Sequence, residues 1–110
     1  MDATFEATAG QWQYLSCACF VRASTGVIAD ITYECAACGN NNLRFIHTLE
    51  HPDRGQIWVG IECAGALLLN YELPRLAENE TKRKEKWRTH YRKPGRCQTT
   101  IEDLEQRGKL

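Results

Sequence analysis

No stretch of this sequence contains enough consecutive apolar residues to cross a membrane. The longest, CAGALLL at 63–69, is far shorter than the roughly 20 residues that a spanning helix needs. The N-terminal residues MDATFEATAG lack the basic start and the apolar centre of a signal peptide. A phosphate-binding glycine loop, a dinucleotide motif and a catalytic triad pattern are also missing. We therefore expect a cytoplasmic, non-enzymatic protein with no membrane partner.

Length and composition predict one small globular domain. The chain has 110 residues, of which 43% are hydrophobic and 25% charged. These proportions are usual for soluble domains and exclude wholesale disorder. A core of this size is often supplemented by a metal ion or a partner, because it buries too little apolar surface to stabilise the fold alone.

The charges cancel overall but are distributed unevenly. Residues 1–81 hold four basic side chains against ten acidic ones, whereas residues 82–96 hold eight basic side chains against Glu85 alone. Such a block of one sign indicates an element that contacts an anionic partner or docks on an acidic face of its own fold, because solvated surfaces usually mix both signs.

The six cysteines, at positions 17, 19, 35, 38, 63 and 97, favour a metal site over a disulfide framework. Disulfides belong mainly to exported proteins, and no export signal is present. Cys35 and Cys38 form the sequence C-A-A-C-G, which predicts a zinc knuckle: a tight turn that directs both sulfurs at one metal ion. The alternatives are a redox dithiol and plain buried thiols. Cys17 and Cys19 lie on one side of a predicted strand and are interpreted as core residues, and Cys97 as a free thiol.

Hydrophobic patterning predicts four strands followed by helices. Alternating aromatic and β-branched residues indicate two hairpins, with the knuckle between them. From Cys63 onward, alanine and leucine replace the β-branched residues and predict helix. A long basic helix with a poor apolar stripe is expected to project into solvent, and a capping-box pattern from Thr99 to Glu102 predicts a short terminal helix. The predicted strands are 12–22, 27–34, 43–50 and 56–62, and the long helix is 75–92.

A knuckle, a hairpin and then a cysteine at a helix start form the layout of a treble-clef zinc finger. Cys35, Cys38 and Cys63 fit this layout, but Ala66 occupies the position expected for the fourth ligand. If the second hairpin turns near Asp53, His47 lies close to its base, so we predict His47 as the fourth ligand. The alternatives are His51, Cys17, Cys19 and Cys97.

These patterns together predict an α+β fold: a small zinc-stabilised, treble-clef-like domain of two β-hairpins followed by C-terminal helices. Residues 1–73 would carry the hairpins and a core that binds one structural Zn²⁺, and residues 74–110 would form a basic helical extension of the same domain. A structural zinc site contributes folding free energy directly.

The segment 33–67 resembles a group of small bacterial and phage zinc-knuckle proteins that have no known activity. The shared features are C-x-x-C-G, then R-[FY]-x-H-x-x-x-H, then V-G-x-x-C-A before a helix, and a basic segment with a tryptophan, here 85–88. The resemblance implies a metal-binding core. It also leaves open a phage or mobile-element protein that inhibits a host protein by direct binding.

A weaker similarity is to HNH nucleases, which also combine a knuckle, a hairpin bearing histidines and a basic helix. In these enzymes a histidine on the first hairpin strand activates water beside a catalytic metal. Here His47 and His51 are four residues apart rather than paired, and the final ligand is missing, with Asn70 as the available candidate. A degenerate nuclease is therefore an alternative to a non-catalytic binding module, for which no catalytic residue is predicted.

The basic segment is the predicted functional surface. Lysine and arginine with interleaved aromatic side chains suit phosphate contact together with base stacking. The partner would be nucleic acid, or an acidic or nucleic-acid-handling protein; the alternative without a partner is a solvated charged helix that keeps the protein in solution. The predicted contact residues are Lys82, Arg83, Lys84, Lys86, Trp87, Arg88, Tyr91, Arg92, Lys93 and Arg96.

Overall fold

The computed structural model describes residues 3–24, 27–29 and 32–110. Positions 25, 26, 30 and 31, which the sequence analysis placed in the first hairpin, lie outside the described residues. The elements in chain order are α1 Ala3–Glu6, β1 Gln13–Ser24, β2 Val27–Ala29, β3 Ile46–His51, β4 Gly55–Val59, α2 Ile61–Leu68, α3 Glu72–His90, β5 Gly95–Thr100 and α4 Ile101–Gln106.

The long strand β1 is the centre of an antiparallel sheet with the order β2-β1-β3-β4, and β5 also pairs with β1. The predicted strand pairings are confirmed: β1 pairs with β2, and β3 pairs with β4. The small α+β architecture is confirmed with them. Apolar side chains of β1, β3, β4, α2 and α4 form the main core, which includes Leu49, Val59, Leu67 and Leu104.

Strand β5 was not predicted, and its presence corrects the purely helical interpretation of residues 74–110. Its sequence GRCQTT contains no long apolar side chain, so it lacks the alternating apolar residues that indicate a strand. The strand forms because it pairs with β1 from Ser16 to Val21. The ladder hydrogen bonds come from a strand that is distant in sequence, so local patterning could not reveal β5.

Helix α3 does not project into solvent as predicted but packs against β1 and β5. Its buried side chains include Ala77 and Thr81, which are too small to produce a recognisable apolar stripe yet allow the helix to approach the sheet closely. The Thr81 hydroxyl lies 2.8 Å from the carbonyl oxygen of Ala77 and 2.8 Å from the hydroxyl of Thr99 on β5. The helix is therefore tied to the sheet near its middle.

Replacing Thr81 by valine is expected to lower the free energy of unfolding by about 1–3 kcal/mol. Valine has nearly the same shape, so the loss comes from the Thr99 hydroxyl, which is fully buried and loses a hydrogen-bond partner. Urea unfolding followed by circular dichroism measures the change. The control is Thr89→Val, in a half-buried position near the end of the same helix. It should change the free energy of unfolding by less than about 0.5 kcal/mol. Equal stability of the two variants would contradict the prediction.

The capping box lies one residue later than predicted. The Thr100 hydroxyl accepts the N–H of Asp103, and the Asp103 carboxylate accepts the N–H of Thr100. Thr99, the predicted capping residue, is instead directed inward to Thr81. In the described part of the chain, no helix combines the length and apolar character needed to span a bilayer.

Candidate metal centre and basic cleft

The segment between β2 and β3 contains a tight turn that holds Cys35 and Cys38. The backbone N–H groups of Tyr33 and Leu43 each donate to the other residue's carbonyl, at 2.7 and 3.0 Å, and close the base of this segment. The N–H of Gly39 donates to the carbonyl of Cys35. Gly39 has a φ of +78°, a left-handed conformation that glycine adopts without steric cost, so the glycine after the second cysteine is needed to reverse the chain.

The third cysteine reaches this turn from the start of α2. Strand β4 ends at Val59, Gly60 is the N-cap, and Cys63 lies in the first turn of the helix. The sulfur atoms of Cys35, Cys38 and Cys63 all lie within 4.8 Å of one another. Three thiolates on one zinc, at about 2.3 Å each, would be separated by about 3.8 Å, so the donor set fits a metal ion. The predicted cysteine cluster is thereby brought together.

The surroundings of the cluster favour a thiolate at Cys35. Burial raises the pKa of the Cys35 thiol, but backbone N–H groups of Gly60, Cys38 and Ala37 lower it by more, and the net shift is downward. The N–H of Gly60 lies 3.4 Å from this sulfur. Burial and the two neighbouring thiols raise the pKa of Cys63 to about 12. Three sulfurs at this spacing repel one another as anions, and a bound cation removes that repulsion.

His47, the predicted fourth ligand, lies elsewhere. In the described residues the cluster has three members. His47 is fully buried, with Nδ1 at 2.9 Å from the Tyr14 hydroxyl and Nε2 at 3.3 Å from a carboxylate oxygen of Glu78. It pairs with Val59 on β4, so it does lie near the base of the second hairpin. Its ring, however, faces α3 and not Cys63.

The alternative ligands are also engaged at other places. The ring of His51 contacts the side-chain oxygen of Gln11 at 2.9 Å and accepts the N–H of Asp53. Cys17 lies 3.9 Å from Nε2 of His47. Cys19 and Cys97 are opposite each other on β1 and β5. No described histidine, cysteine or carboxylate therefore supplies the fourth position.

The contact between His47 and Glu78 affects acid stability. Burial raises the pKa of the Glu78 carboxyl, but His47 and Lys82 lower it by more, so it lies below its ordinary value of 4.5. A carboxyl whose pKa is lower in the folded protein stabilises the fold above its unfolded pKa, and this contribution is lost as the pH falls through the folded value.

Glu78→Gln is expected to cost about 1–3 kcal/mol at pH 7, because a hydrogen bond to a charged group is lost. The difference from the unmodified protein should shrink as the pH falls below about 4.5. Urea unfolding between about pH 7 and about pH 3.5 measures both effects. Glu105→Gln is the control, because it removes the same charge at an exposed position of α4. If the stability difference between Glu78→Gln and the unmodified protein did not change with pH, the lowered pKa of Glu78 would make no contribution to stability.

Three of the predicted basic contact residues have carboxylate partners in the chain itself. Lys82 pairs with Glu78, Arg83 with Glu80 and Lys84 with Asp103. Lys84 also donates to the carbonyl of Gln98 at 2.6 Å, so it joins α3 to β5 and supports the fold. Among the described residues, no carboxylate lies within ion-pair distance of Lys86, Arg88, Arg92, Lys93 and Arg96.

A cleft of about 490 Å³ lies between α3 and β5. The Trp87 ring is half exposed and lies 5.6 Å from the ammonium of Lys93, and Tyr91 packs against Trp87 at 4.9 Å between ring centroids. Arg88 crosses the gap and donates to the carbonyl of Pro94. The lining residues are Arg83, Lys84, Trp87, Arg88, Arg96, Cys97 and Gln98. We call this feature the basic cleft.

The sheet face opposite α3 carries an aromatic row that the sequence analysis did not single out. Tyr33 lies between Phe20 and Trp58, at 5.9 and 5.7 Å between ring centroids, and Trp58 is half exposed. The guanidinium of Arg96 lies 5.9 Å from the centre of Phe20 and also lines the basic cleft. The available signal was Trp58 itself, which occupies an outward position of β4, because outward positions of a half-buried strand are normally polar.

The nuclease alternative requires His47 as a general base and Asn70 as a ligand, and the structure places both residues in contacts that support the fold. A general base must be reached by substrate water, whereas His47 is fully buried. The side-chain oxygen of Asn70 accepts the N–H groups of Glu72 and Leu73 and so caps the start of α3.

Comparison with known proteins finds no matching family model, no similar curated protein and no similar solved structure. A function must therefore be inferred from the metal centre and the basic cleft themselves.

Proposed function

We propose that this protein is a non-catalytic, zinc-stabilised, treble-clef-like module that binds nucleic acid through the basic cleft. One observation carries the proposal: the cleft combines four cationic side chains with a half-exposed tryptophan. Phosphates are neutralised by lysine and arginine, and an exposed aromatic ring offers a stacking surface to an unpaired base.

Zinc is the metal proposed for the cysteine cluster. Thiolate sulfur selects soft ions, and zinc is the usual partner of cysteines on a knuckle and a helix start. Cys35, Cys38 and Cys63 would hold one ion per chain, which joins the knuckle to the first turn of α2. Its contribution would be structural, because it links two segments that otherwise share a small core.

Charge complementarity favours nucleic acid as the partner. Residues 82–96 carry eight basic side chains, and Glu85, the single acidic one, is paired with Arg44 outside the segment. Among the cations without a carboxylate partner in the described residues, Arg88 on α3 and Arg96 on β5 line the cleft. A phosphodiester chain presents regularly spaced anions to such a surface, whereas an acidic protein would need carboxylates in a matching arrangement.

Titration with fluorescently labelled, mixed-sequence oligonucleotides tests the proposal. Single- and double-stranded DNA and RNA are compared at salt concentrations from about 50 to about 200 mM. The slope of log K against log salt concentration then reports the number of phosphates that the protein neutralises, at about one unit each. Binding with little sequence preference and a steep salt dependence is expected, since phosphate contacts carry no base information. Preference for single strands would identify stacking on Trp87.

The same samples with Mg²⁺ or Mn²⁺ test the nuclease alternative, because cleaved oligonucleotides are visible on a denaturing gel. Intact oligonucleotides are expected. Cleavage that is lost in His47→Ala would replace the binding proposal with an enzymatic one. Failure to bind all four nucleic acids at low salt would overturn the proposal in favour of an acidic protein partner, the remaining class that fits the charge of the cleft.

A further inference from the structure

Cys19 and Cys97 form a pair of buried thiols that the proposed binding function does not use. They are directly opposite each other in the ladder between β1 and β5. Cys19 is fully buried and Cys97 is 2% exposed. The two side chains pack together in a small buried cluster, and Phe45 packs against both this cluster and the main core.

Their placement is compatible with a covalent link. Residues directly opposite in an antiparallel ladder have Cα atoms about 4.5–5.5 Å apart, and disulfides span Cα separations of about 4.4–6.8 Å. Cys17 is excluded from the same link by register, because it lies opposite Thr99 and contacts His47.

The pair lies beside the basic cleft and beside a carboxylate. Cys97 is one of the residues that line the cleft, so a small molecule that enters the cleft comes close to the pair from the Cys97 side. The Cys19 sulfur lies 3.3 Å from a carboxylate oxygen of Glu85. The two thiols therefore differ in their surroundings: one belongs to a residue that lines the cleft, and the other lies against a carboxylate.

We propose that Cys19 and Cys97 are a redox-active pair that peroxide converts to a disulfide. The Cys97 sulfur attacks one peroxide oxygen, the O–O bond breaks, and Cys97 sulfenic acid and one water are formed. The Cys19 sulfur then attacks the sulfenic sulfur. An S–S bond forms and the S–O bond breaks. Glu85 accepts the Cys19 proton and passes it to the leaving hydroxide, which becomes a second water. Two thiols are oxidised by two electrons, and one peroxide is reduced to two waters.

The electrostatics support this order of events. Burial and the neighbouring Cys97 raise the pKa of Cys19 to about 12, so Cys19 is held as the thiol until a base accepts its proton. Glu85 is the acidic group in contact with that sulfur, and its carboxylate is held in place by Arg44. The proposal does not depend on nucleic-acid binding.

Mass spectrometry of the full-length, zinc-loaded protein tests the pair directly. The protein is treated with hydrogen peroxide, remaining thiols are alkylated, and the chain is digested with trypsin. Cleavage after Arg22, Arg96 and Arg107 leaves Cys19 in residues 1–22 and Cys97 in residues 97–107. The expected product is a disulfide-linked pair of these peptides, with two fewer alkylated thiols per chain.

Variants identify the sulfur and the proton acceptor. Because residues 1–22 also contain Cys17, Cys17→Ser should retain the link and Cys19→Ser should lose it. Glu85→Gln should slow disulfide formation at least about tenfold. Arg44→Gln removes the ion pair that positions Glu85 but keeps the carboxylate, so it should slow disulfide formation by less than Glu85→Gln does.

The wild-type digest decides the proposal even if a cysteine variant fails to fold. Absence of the linked peptides, or a link through Cys17 or through a cysteine of the metal cluster, would overturn it. Circular dichroism and zinc content before and after oxidation identify samples in which unfolding created the link. A link found only in unfolded protein would also overturn the proposal.

Discussion

Cys35→Ser is expected to abolish cooperative unfolding of this protein at about 25 °C. A structural zinc site contributes on the order of 10 kcal/mol to folding, as much as the whole stability of a typical small domain. Backbone N–H groups stabilise the negative charge of the Cys35 thiolate, and serine does not replace it as a zinc ligand. Chelation of the metal should have the same effect.

Three measurements check this expectation. Metal analysis of the purified protein should find about one zinc per chain, thermal unfolding should lose its transition in the variant, and Co²⁺ should give the absorption of a thiolate-coordinated ion. Ala36→Ser is the matched control, since it introduces the same side chain at an exposed position of the same turn. A metal-free protein that unfolds cooperatively at an unchanged temperature would contradict the metal centre.

Arg88→Gln combined with Arg96→Gln is expected to weaken nucleic-acid binding about 10–100-fold at low salt, and to reduce the salt slope by up to about two. Both side chains line the basic cleft, and neither has a carboxylate partner among the described residues. The electrophoretic or fluorescence titration at several salt concentrations gives both quantities. Trp87→Ala should cost roughly 1–3 kcal/mol of binding only if an unpaired base stacks on the ring.

The choice of these arginines follows from the structure. Lys84 would be an obvious member of a charge variant, but it donates to the carbonyl of Gln98, so its loss would weaken the fold as well. Arg54→Gln combined with Arg75→Gln removes the same charge at exposed positions outside the cleft. If this control pair weakens binding as much as the cleft pair does, the cleft is not the binding surface.

The local chemistry of the chain determined the cysteine cluster and the two hairpins of the sheet. A cysteine pair three residues apart, followed by glycine, specifies a knuckle because only a tight turn can close there. Alternation of apolar residues similarly specified both strand pairs, since a period of two places every second side chain on the buried face. These features depend on neighbours in sequence, and for this reason they could be predicted.

Strand β5, the position of α3 and the surroundings of His47 were decided by tertiary structure. β5 needs the hydrogen bonds of β1, α3 packs through small residues that have no amphipathic signature, and His47 faces a carboxylate on a helix 31 positions away. The basic cleft and the pair of Cys19 and Cys97 exist because β5 joins the sheet beside α3. Each depends on contacts between segments far apart in the chain, whose free energy no local pattern encodes.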